Sequence, residues 1–186
     1  SPLITEKSDI DAIVARARSR SSAWGNTSGH DRAEVLDAAA NALAAHRGEL
    51  LAAMTHEANK TVAESDPEIS EAIDFARYYA RALDGVKGSR VTPYSVVLIT
   101  PPWNFPLAIP MGGVFAALAA GAAVVIKPAP QVVRIAEVAV GILREAGIDE
   151  ELLQLVNVAE NEAGQPSSSP APPTRRGSSA AGNHRW

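Results

Sequence analysis

The chain has 186 residues, of which 46% are apolar, so it is long enough to bury a core and its length is typical of one domain. Its formal net charge is −4, but three arginines, Arg175, Arg176 and Arg185, lie near the carboxyl terminus without a nearby acid. The rest of the chain is therefore more acidic than this total, which argues against nucleic acid as a partner. The sequence has no cysteine, no apolar run of membrane-spanning length and no signal-peptide pattern, so we expect no disulfide, no membrane partner and a cytoplasmic location.

The first third of the chain has the periodicity of amphipathic helices. Apolar residues at helical spacing predict a first helix over Asp9 to Arg20. Ser28, with Asp31 three residues later, resembles a capping box and predicts the start of a long helix whose apolar stripe reaches Leu43. A second apolar group follows past Gly48. We expect these helices to lie on the surface with one face buried.

Four polar residues in this region could be considered as metal ligands. They are His46, Glu49, His56 and Glu57. Their spacing does not place the two histidines on one helical face, so we predict no metal site and interpret these residues as a solvated helix surface.

The clearest predicted helix start is Asp66-Pro67-Glu68. An aspartate can cap a first turn, proline fits the first helical position, and acids there favour the helix dipole. Apolar residues then keep helical spacing from Ile69 to Leu83, and Gly85 is the predicted end.

Two short apolar runs, Val96 to Ile99 and Ala123 to Ile126, are separated by a segment of helix length. This order predicts a βαβ unit of a parallel sheet that is buried on both faces. Such units bind ligands at the carboxyl ends of their strands, here Thr100 to Asn104 and Lys127 to Pro130.

A further helix over Gln131 to Ala146 and a third strand over Leu152 to Val156 extend this pattern. The resulting β-α-β-α-β order predicts an α/β fold: N-terminal helices plus an incomplete, Rossmann-like half of a doubly wound parallel sheet. No G-x-G-x-x-G follows the first strand, and Gly112-Gly113 lies inside the predicted helix, so only an atypical nucleotide site is supported.

The composition changes abruptly at Gln165, and the segment from there to Trp186 is rich in Pro, Ser, Arg, Gly and Ala. A segment without Val, Ile or Leu cannot build a core, so we predict that it is disordered. A reading-frame shift or a natural linker would each explain the sharp boundary. Pro170-x-x-Pro173 could also be a polyproline ligand, a pattern that arises freely in proline-rich tracts.

The motif from Ile99 to Pro106, followed by Ala119 to Gly121 and by Lys127 to Ala129, resembles the nucleotide-binding region of the aldehyde dehydrogenase superfamily. Within it the chain is most similar to the pyrroline-5-carboxylate (glutamate semialdehyde) dehydrogenases, over roughly Ala12 to Gly164. The resemblance implies a truncated, N-terminal part of a longer enzyme. It divides the chain into a helical segment over 1–94 that packs on the next domain, a partial Rossmann-like NAD(P)-binding domain over 95–164, and the tail over 165–186. In this family the segment matching Val86 to Tyr94 is a β excursion used for oligomerisation.

The resemblance also implies a role for Asn104. In the family the matching side chain donates to the oxyanion that forms on the aldehyde, a contribution on the order of 3 kcal/mol. The residues alone support a second interpretation, because Asn104 precedes Pro106 at a predicted helix start and could cap that helix. Trp103 would line the aldehyde pocket or pack in the core.

Lys127 follows a strand, and the resemblance implies that its ammonium binds the ribose or a 2′-phosphate of the cofactor. The alternative is a strand-end lysine that only extends to solvent. The expected cofactor is NAD, with NADP possible. Pro130 stands where many family members have a ribose-binding glutamate, a departure that weakens the choice between NAD and NADP. The other cofactor-binding residues implied by the resemblance are Ile99, Thr100, Pro102, Trp103, Pro128 and Ala129.

The implied parent reaction is oxidation of a small aldehyde, glutamate semialdehyde, to the acid in proline catabolism, through a cysteine thiolate. Without a cysteine this chain is expected to be inactive alone. The resemblance also implies that the later strands and the catalytic domain, which bind the nicotinamide end of the cofactor, are missing, so NAD is expected to bind weakly or not at all. The alternatives are a non-catalytic nucleotide-binding fragment, or a structural fragment that forms homo-oligomers through an exposed sheet edge.

Overall fold

The computed structural model describes residues 3–82 and 92–158, which form an α/β fold of helices packed around short parallel sheets. The helices in chain order are α1 (Lys7–Gly25), α2 (Gly29–Ala45), α3 (Arg47–Ala58), α4 (Val62–Ala82), α5 (Ala108–Ala120) and α6 (Val133–Glu145), the last preceded by a 3₁₀ turn over Pro130–Val132. The strands are β1 (Leu3–Ile4), β2 (Val96–Ile99), β3 (Ala123–Ile126), β4 (Leu153–Leu155) and β5 (Asn157–Val158). Among the described helices, none has the length and apolar character needed to cross a membrane.

Strands β2, β3 and β4 form a parallel sheet in that order, and β1 pairs in parallel with β5. The order follows the chain, with α5 and α6 as the two connections, which confirms the predicted half of a doubly wound sheet. Both strands of the predicted βαβ unit have the predicted bounds, because each is a short apolar run punctuated by turn residues.

The predicted start of the fourth helix is wrong. Helix α4 begins at Val62, and Pro67 lies inside it. A capping box that the sequence interpretation overlooked starts it: Thr61 Oγ1 accepts from the Glu64 N–H at 3.3 Å, and the Glu64 carboxylate accepts from the Thr61 N–H at 2.9 Å. These hydrogen bonds from the backbone and hydroxyl of Thr61 lower the pKa of Glu64. Pro67 lies in the second turn of α4, where it removes one helical N–H and therefore costs a hydrogen bond.

The helical region after Ser28 also differs from prediction. The capping box of Ser28 and Asp31 is present, but the chain breaks at His46 into α2 and α3. The first helix is longer than predicted and reaches Gly25, and the helix predicted over Gln131 to Ala146 begins with the 3₁₀ turn. The predicted helix end at Gly85, most of the segment from Val86 to Tyr94, and the tail 165–186 lie outside the described residues.

Helix α5 lies at the centre of the fold, in contact with α4, α2 and strands β2 and β3. Its two adjacent glycines permit this packing: a Cβ on Gly112 would lie 3.0 Å from the Phe75 ring, and one on Gly113 would lie 3.0 Å from Ile99 Cδ1. The glycine pair therefore lets α5 approach α4 on one side and β2 on the other, a structural use that requires no phosphate.

The carboxyl end of α5 is held by the first two helices. Trp24 Nε1 donates to Leu118 O at 2.9 Å, and Arg32 Nε donates to Ala119 O at 2.9 Å. Burial lowers the pKa of Arg32, an effect that the neighbouring Asp31 opposes. Both carbonyls lie in the last turn of α5, where the regular helical bonds run out; Leu118 O also accepts from the Gly121 N–H at 3.0 Å.

Candidate functional site

The carboxyl ends of β2 and β3 meet at one edge of the sheet. Ile99 pairs with Ile126, and the Lys127 N–H donates to Ile99 O at 2.9 Å. Consequently Thr100 and Lys127 begin neighbouring loops. The structure thus brings together two groups of predicted cofactor-binding residues, Ile99 and Thr100 from one strand end and Lys127, Pro128 and Ala129 from the other.

The loop between β2 and α5 carries the remaining predicted site residues. Pro102, Trp103 and Asn104 are exposed, and 55% of Trp103 is accessible, so the interpretation of Trp103 as a core residue is wrong. Helix α5 begins at Ala108 after Leu107, without a side-chain cap from Asn104. The helix-cap interpretation of Asn104 is therefore also wrong. Its side-chain amide makes no hydrogen bond to any of the described residues.

The cap of α5 comes from a residue that sequence reasoning assigned to a different role. Glu68 Oε1 accepts from the Leu107 N–H at 2.8 Å and from the Ala108 N–H at 3.2 Å. Its other oxygen pairs with Lys60 Nζ, and Lys60 also donates to Asn104 O at 3.3 Å. One signal could have indicated this: Glu68 is a charged residue on the same buried face of α4 as Ile69 and Ala72.

The next helix is capped in the same way. Glu57 accepts from the N–H groups of Arg134 and Ile135 at 2.8 and 2.7 Å. Its interpretation as solvated surface is therefore wrong. Carboxylates thus occupy the amino ends of α5 and α6, the positions where phosphates bind in many doubly wound folds. Within residues 3–82 and 92–158, no cluster of three His, Cys, Asp or Glu could hold a metal ion.

Lys127 is half-buried, and in the described part of the chain its ammonium has no hydrogen bond or ion pair. A lysine with free donors at this edge can bind hydroxyl or phosphate oxygens. A polar cleft of about 460 Å³ lies at the opposite edge, lined by Arg18, Ser21, Tyr94 and Gly121 among others. Ligands of parallel sheets bind at the carboxyl edge, so this cleft does not correspond to the predicted site.

Comparison with known proteins places this geometry in a family. The model of the aldehyde dehydrogenase family matches residues 3–170. The chain belongs to the aldehyde dehydrogenase family. This confirms the resemblance inferred from the motifs around Asn104 and Lys127, and extends it beyond the predicted limits.

Individual aldehyde dehydrogenase relatives agree with the predicted subfamily. The chain is 36% identical over 151 residues to the bifunctional protein PutA of Salmonella typhimurium, a match that covers 81% of the chain and 11% of that protein. It is 36% identical over 154 residues to 1-pyrroline-5-carboxylate dehydrogenase 2 of Bacillus subtilis, covering 76% of the chain and 30% of that protein. The structure of proline utilization A from Corynebacterium freiburgense superposes with a TM-score of 0.80 and 48% identity, covering 88% of this chain and 17% of that one. The chain therefore spans about a tenth of the PutA relative and about a third of the dehydrogenase.

Proposed function

We propose that this chain is the nucleotide-binding part of an NAD(P)-dependent aldehyde dehydrogenase of proline catabolism, whose complete form oxidises glutamate semialdehyde, the open form of pyrroline-5-carboxylate, to glutamate. The observation that carries the proposal is the position of Asn104 and Lys127 on adjacent loops at the carboxyl edge of the sheet. The similarity to PutA and to a pyrroline-5-carboxylate dehydrogenase supports the choice of substrate.

The residues present fit the adenosine half of the cofactor. The Lys127 ammonium has donors available for ribose hydroxyls, and the loops that start at Thr100 and Pro128 flank it. The helix ends offer no equivalent site for phosphate, because Glu57 and Glu68 already accept their N–H groups. When bound, NAD(P) supplies a hydride acceptor, and this chain contributes orientation of the ribose.

Asn104 is proposed to donate its side-chain amide to the oxygen of the reacting aldehyde. The amide is exposed and has no partner among the described residues, so it does not have to break a bond before it donates. A donor of this kind stabilises the developing negative charge by about 3 kcal/mol. Trp103, also exposed beside it, would form a wall against the substrate.

The thiolate that attacks the aldehyde cannot come from this chain, which has no cysteine. We therefore expect the purified chain to reduce neither NAD nor NADP in the presence of glutamate semialdehyde. The assay follows absorbance of the reduced nicotinamide, with heat-treated protein as the blank. Turnover above the blank would refute this part of the proposal.

Cofactor binding by this chain alone is expected to be weak, with Kd in the millimolar range, which corresponds to about 4 kcal/mol. Ligand-observed NMR with NAD and with adenosine monophosphate should give similar signals, because only the adenosine half is contacted. The signals should fall in Lys127→Ala and persist in Lys7→Ala, a control in α1 whose lysine pairs with Asp11. Equal signals from Lys127→Ala and the unmodified chain would contradict the assignment of Lys127.

A second candidate function, homo-oligomerisation, is favoured by the edge of the sheet. Strand β2 pairs only with β3 among the described strands, and Leu98 on it is 62% exposed. An unpaired apolar edge can pair with a second copy. Sedimentation should then depend on concentration, and Leu98→Lys should shift the chain to the monomer. Val62→Lys is the matched control at an exposed apolar residue of α4; the same shift in both variants would argue against edge pairing.

A further inference from the structure

One ion pair connects three separate parts of the fold beside the loop that carries Asn104. Lys60 lies in the turn between α3 and α4, directly after Asn59, which adopts a left-handed conformation with φ 53°. Glu68 lies in the second turn of α4. The Lys60 ammonium contacts the Glu68 carboxylate, donates to Asn104 O at 3.3 Å, and lies 4.8 Å from the centre of the Phe105 ring.

The second carboxylate oxygen of Glu68 binds the backbone a few residues after Asn104, at the start of α5. It accepts from the N–H groups of Leu107 and Ala108, at 2.8 and 3.2 Å. The ion pair therefore contacts the backbone at Asn104, where it binds a carbonyl, and at Leu107 and Ala108, where it binds two amides. The backbone segment from Asn104 to Ala108 is thereby held at both of its ends.

Neither charge could remain in place without its partner. The Glu68 side chain is 2% exposed and that of Lys60 is 16% exposed, and an isolated buried charge is strongly unfavourable. The negative charge also faces the amino end of α5, where the helix dipole favours it and where two N–H groups need acceptors. Surface ion pairs such as Lys7 with Asp11 have neither property.

We infer that Lys60 and Glu68 are positioning residues for Asn104. By restraining the backbone from Asn104 to Ala108, they determine where the Asn104 side chain points at the carboxyl edge of the sheet. The benefit for aldehyde oxidation rests on the proposed function of Asn104. The positioning itself does not depend on it, and it can be measured without nucleotide or aldehyde.

The test is NMR of the full chain labelled with ¹⁵N, observing the side-chain amide of Asn104 and the indole N–H of Trp103. Both signals are assigned by their loss in Asn104→Asp and Trp103→Phe. Glu68→Gln keeps an acceptor oxygen but removes the charge that holds Lys60, and Lys60→Met removes the ammonium. In each variant we expect both signals to shift or broaden. Amide exchange at Leu107 and Ala108 should become about tenfold faster, because each variant weakens the charge-assisted hydrogen bonds that these N–H groups make to Glu68.

Two further variants separate positioning from general stability. Lys60→Arg retains the positive charge and should restore the Asn104 signal. Glu57→Gln alters the equivalent glutamate cap, which accepts from the Arg134 and Ile135 N–H groups at 2.8 and 2.7 Å at the start of α6, away from the loop that carries Asn104. It should leave the signals of Asn104 and Trp103 in place.

The inference is overturned if the Asn104 signal is unchanged in folded Glu68→Gln, or if Glu57→Gln moves it as much as Glu68→Gln does. If Glu68→Gln does not fold, Lys60→Met decides in the same way. Failure of nucleotide binding by the unmodified chain would refute the proposed cofactor site and leave this result unaffected.

Discussion

Replacing Gly121 by alanine should destabilise the fold through two effects that can be separated. Gly121 follows α5 with φ +95°, and Gly147 follows α6 with φ +101°. Both belong to the same helix-ending motif, since the residue after each donates to a carbonyl five positions back, Ala122 to Ala117 and Ile148 to Leu143. The two glycines differ in their surroundings.

At Gly147 an added Cβ would meet nothing within 4 Å, whereas at Gly121 it would lie 3.1 Å from the Cα of Gly25 in α1. Gly147→Ala therefore reports only the strain of a left-handed alanine, about 1 kcal/mol once the lower entropy of its unfolded state is included. Gly121→Ala adds a contact between two backbones that cannot easily separate, typically about 1–3 kcal/mol more. We expect a total loss near 3 kcal/mol.

Urea denaturation followed by circular dichroism at 222 nm measures both variants. With a slope of about 2 kcal/mol per molar urea, the midpoint of Gly121→Ala should lie about 1 M below that of Gly147→Ala. Gly25→Ala tests the contact from the other side, because its Cβ would lie 3.2 Å from Gly121 O. Equal midpoints for Gly121→Ala and Gly147→Ala would show that the close approach of α1 and α5 contributes nothing.

Three further predictions test other features. Partial burial tends to raise the pKa of Asp149, but hydrogen bonds from the Glu151 N–H and from Arg20 outweigh it and lower the pKa. The ionised carboxylate therefore stabilises the fold above the unfolded pKa of about 4, and this stabilisation is lost as pH falls through the lower folded pKa. Asp149→Asn should be less stable than the unmodified chain at pH 7, by under ~1 kcal/mol, and the difference in stability should narrow in acid. A difference that widens in acid would contradict the lowered pKa. In thermal denaturation Glu57→Ala should be about 1 kcal/mol less stable than the unmodified chain, and Glu57→Gln should lose less stability, because glutamine keeps an acceptor for the α6 cap. Equal losses of stability in the two variants would show that the acceptor is irrelevant. Gly141→Ala, inside α6 with open space around its Cβ, should gain about 0.5–1 kcal/mol in the same measurement, and a loss would indicate a contact that the structure does not show.

The candidate site could be located from sequence to the level of its loops. The carboxyl ends of two apolar runs had to meet if the strands were parallel neighbours, so Thr100 and Lys127 were expected at one edge, where the structure places them. The supporting residues could not be found in this way. Glu68 binds N–H groups 39 and 40 positions away, and Glu57 binds one 77 positions away, so neither cap leaves a local pattern.

Local chemistry in the sequence determined the elements whose signals act over a few residues. Strands β2 and β3 and the capping box of Ser28 are of this kind, because apolar runs, glycines and short-range side-chain bonds specify them without help from the rest of the fold. Where two local signals competed, tertiary contacts decided. Thr61 and Asp66 could each begin α4; the start at Thr61 leaves Asp66 inside the helix, where its carboxylate and carbonyl both accept from Arg47. Burial of a charge such as Glu68 becomes favourable only when distant partners converge on it, so its role was decided by the packing of α4 against α5.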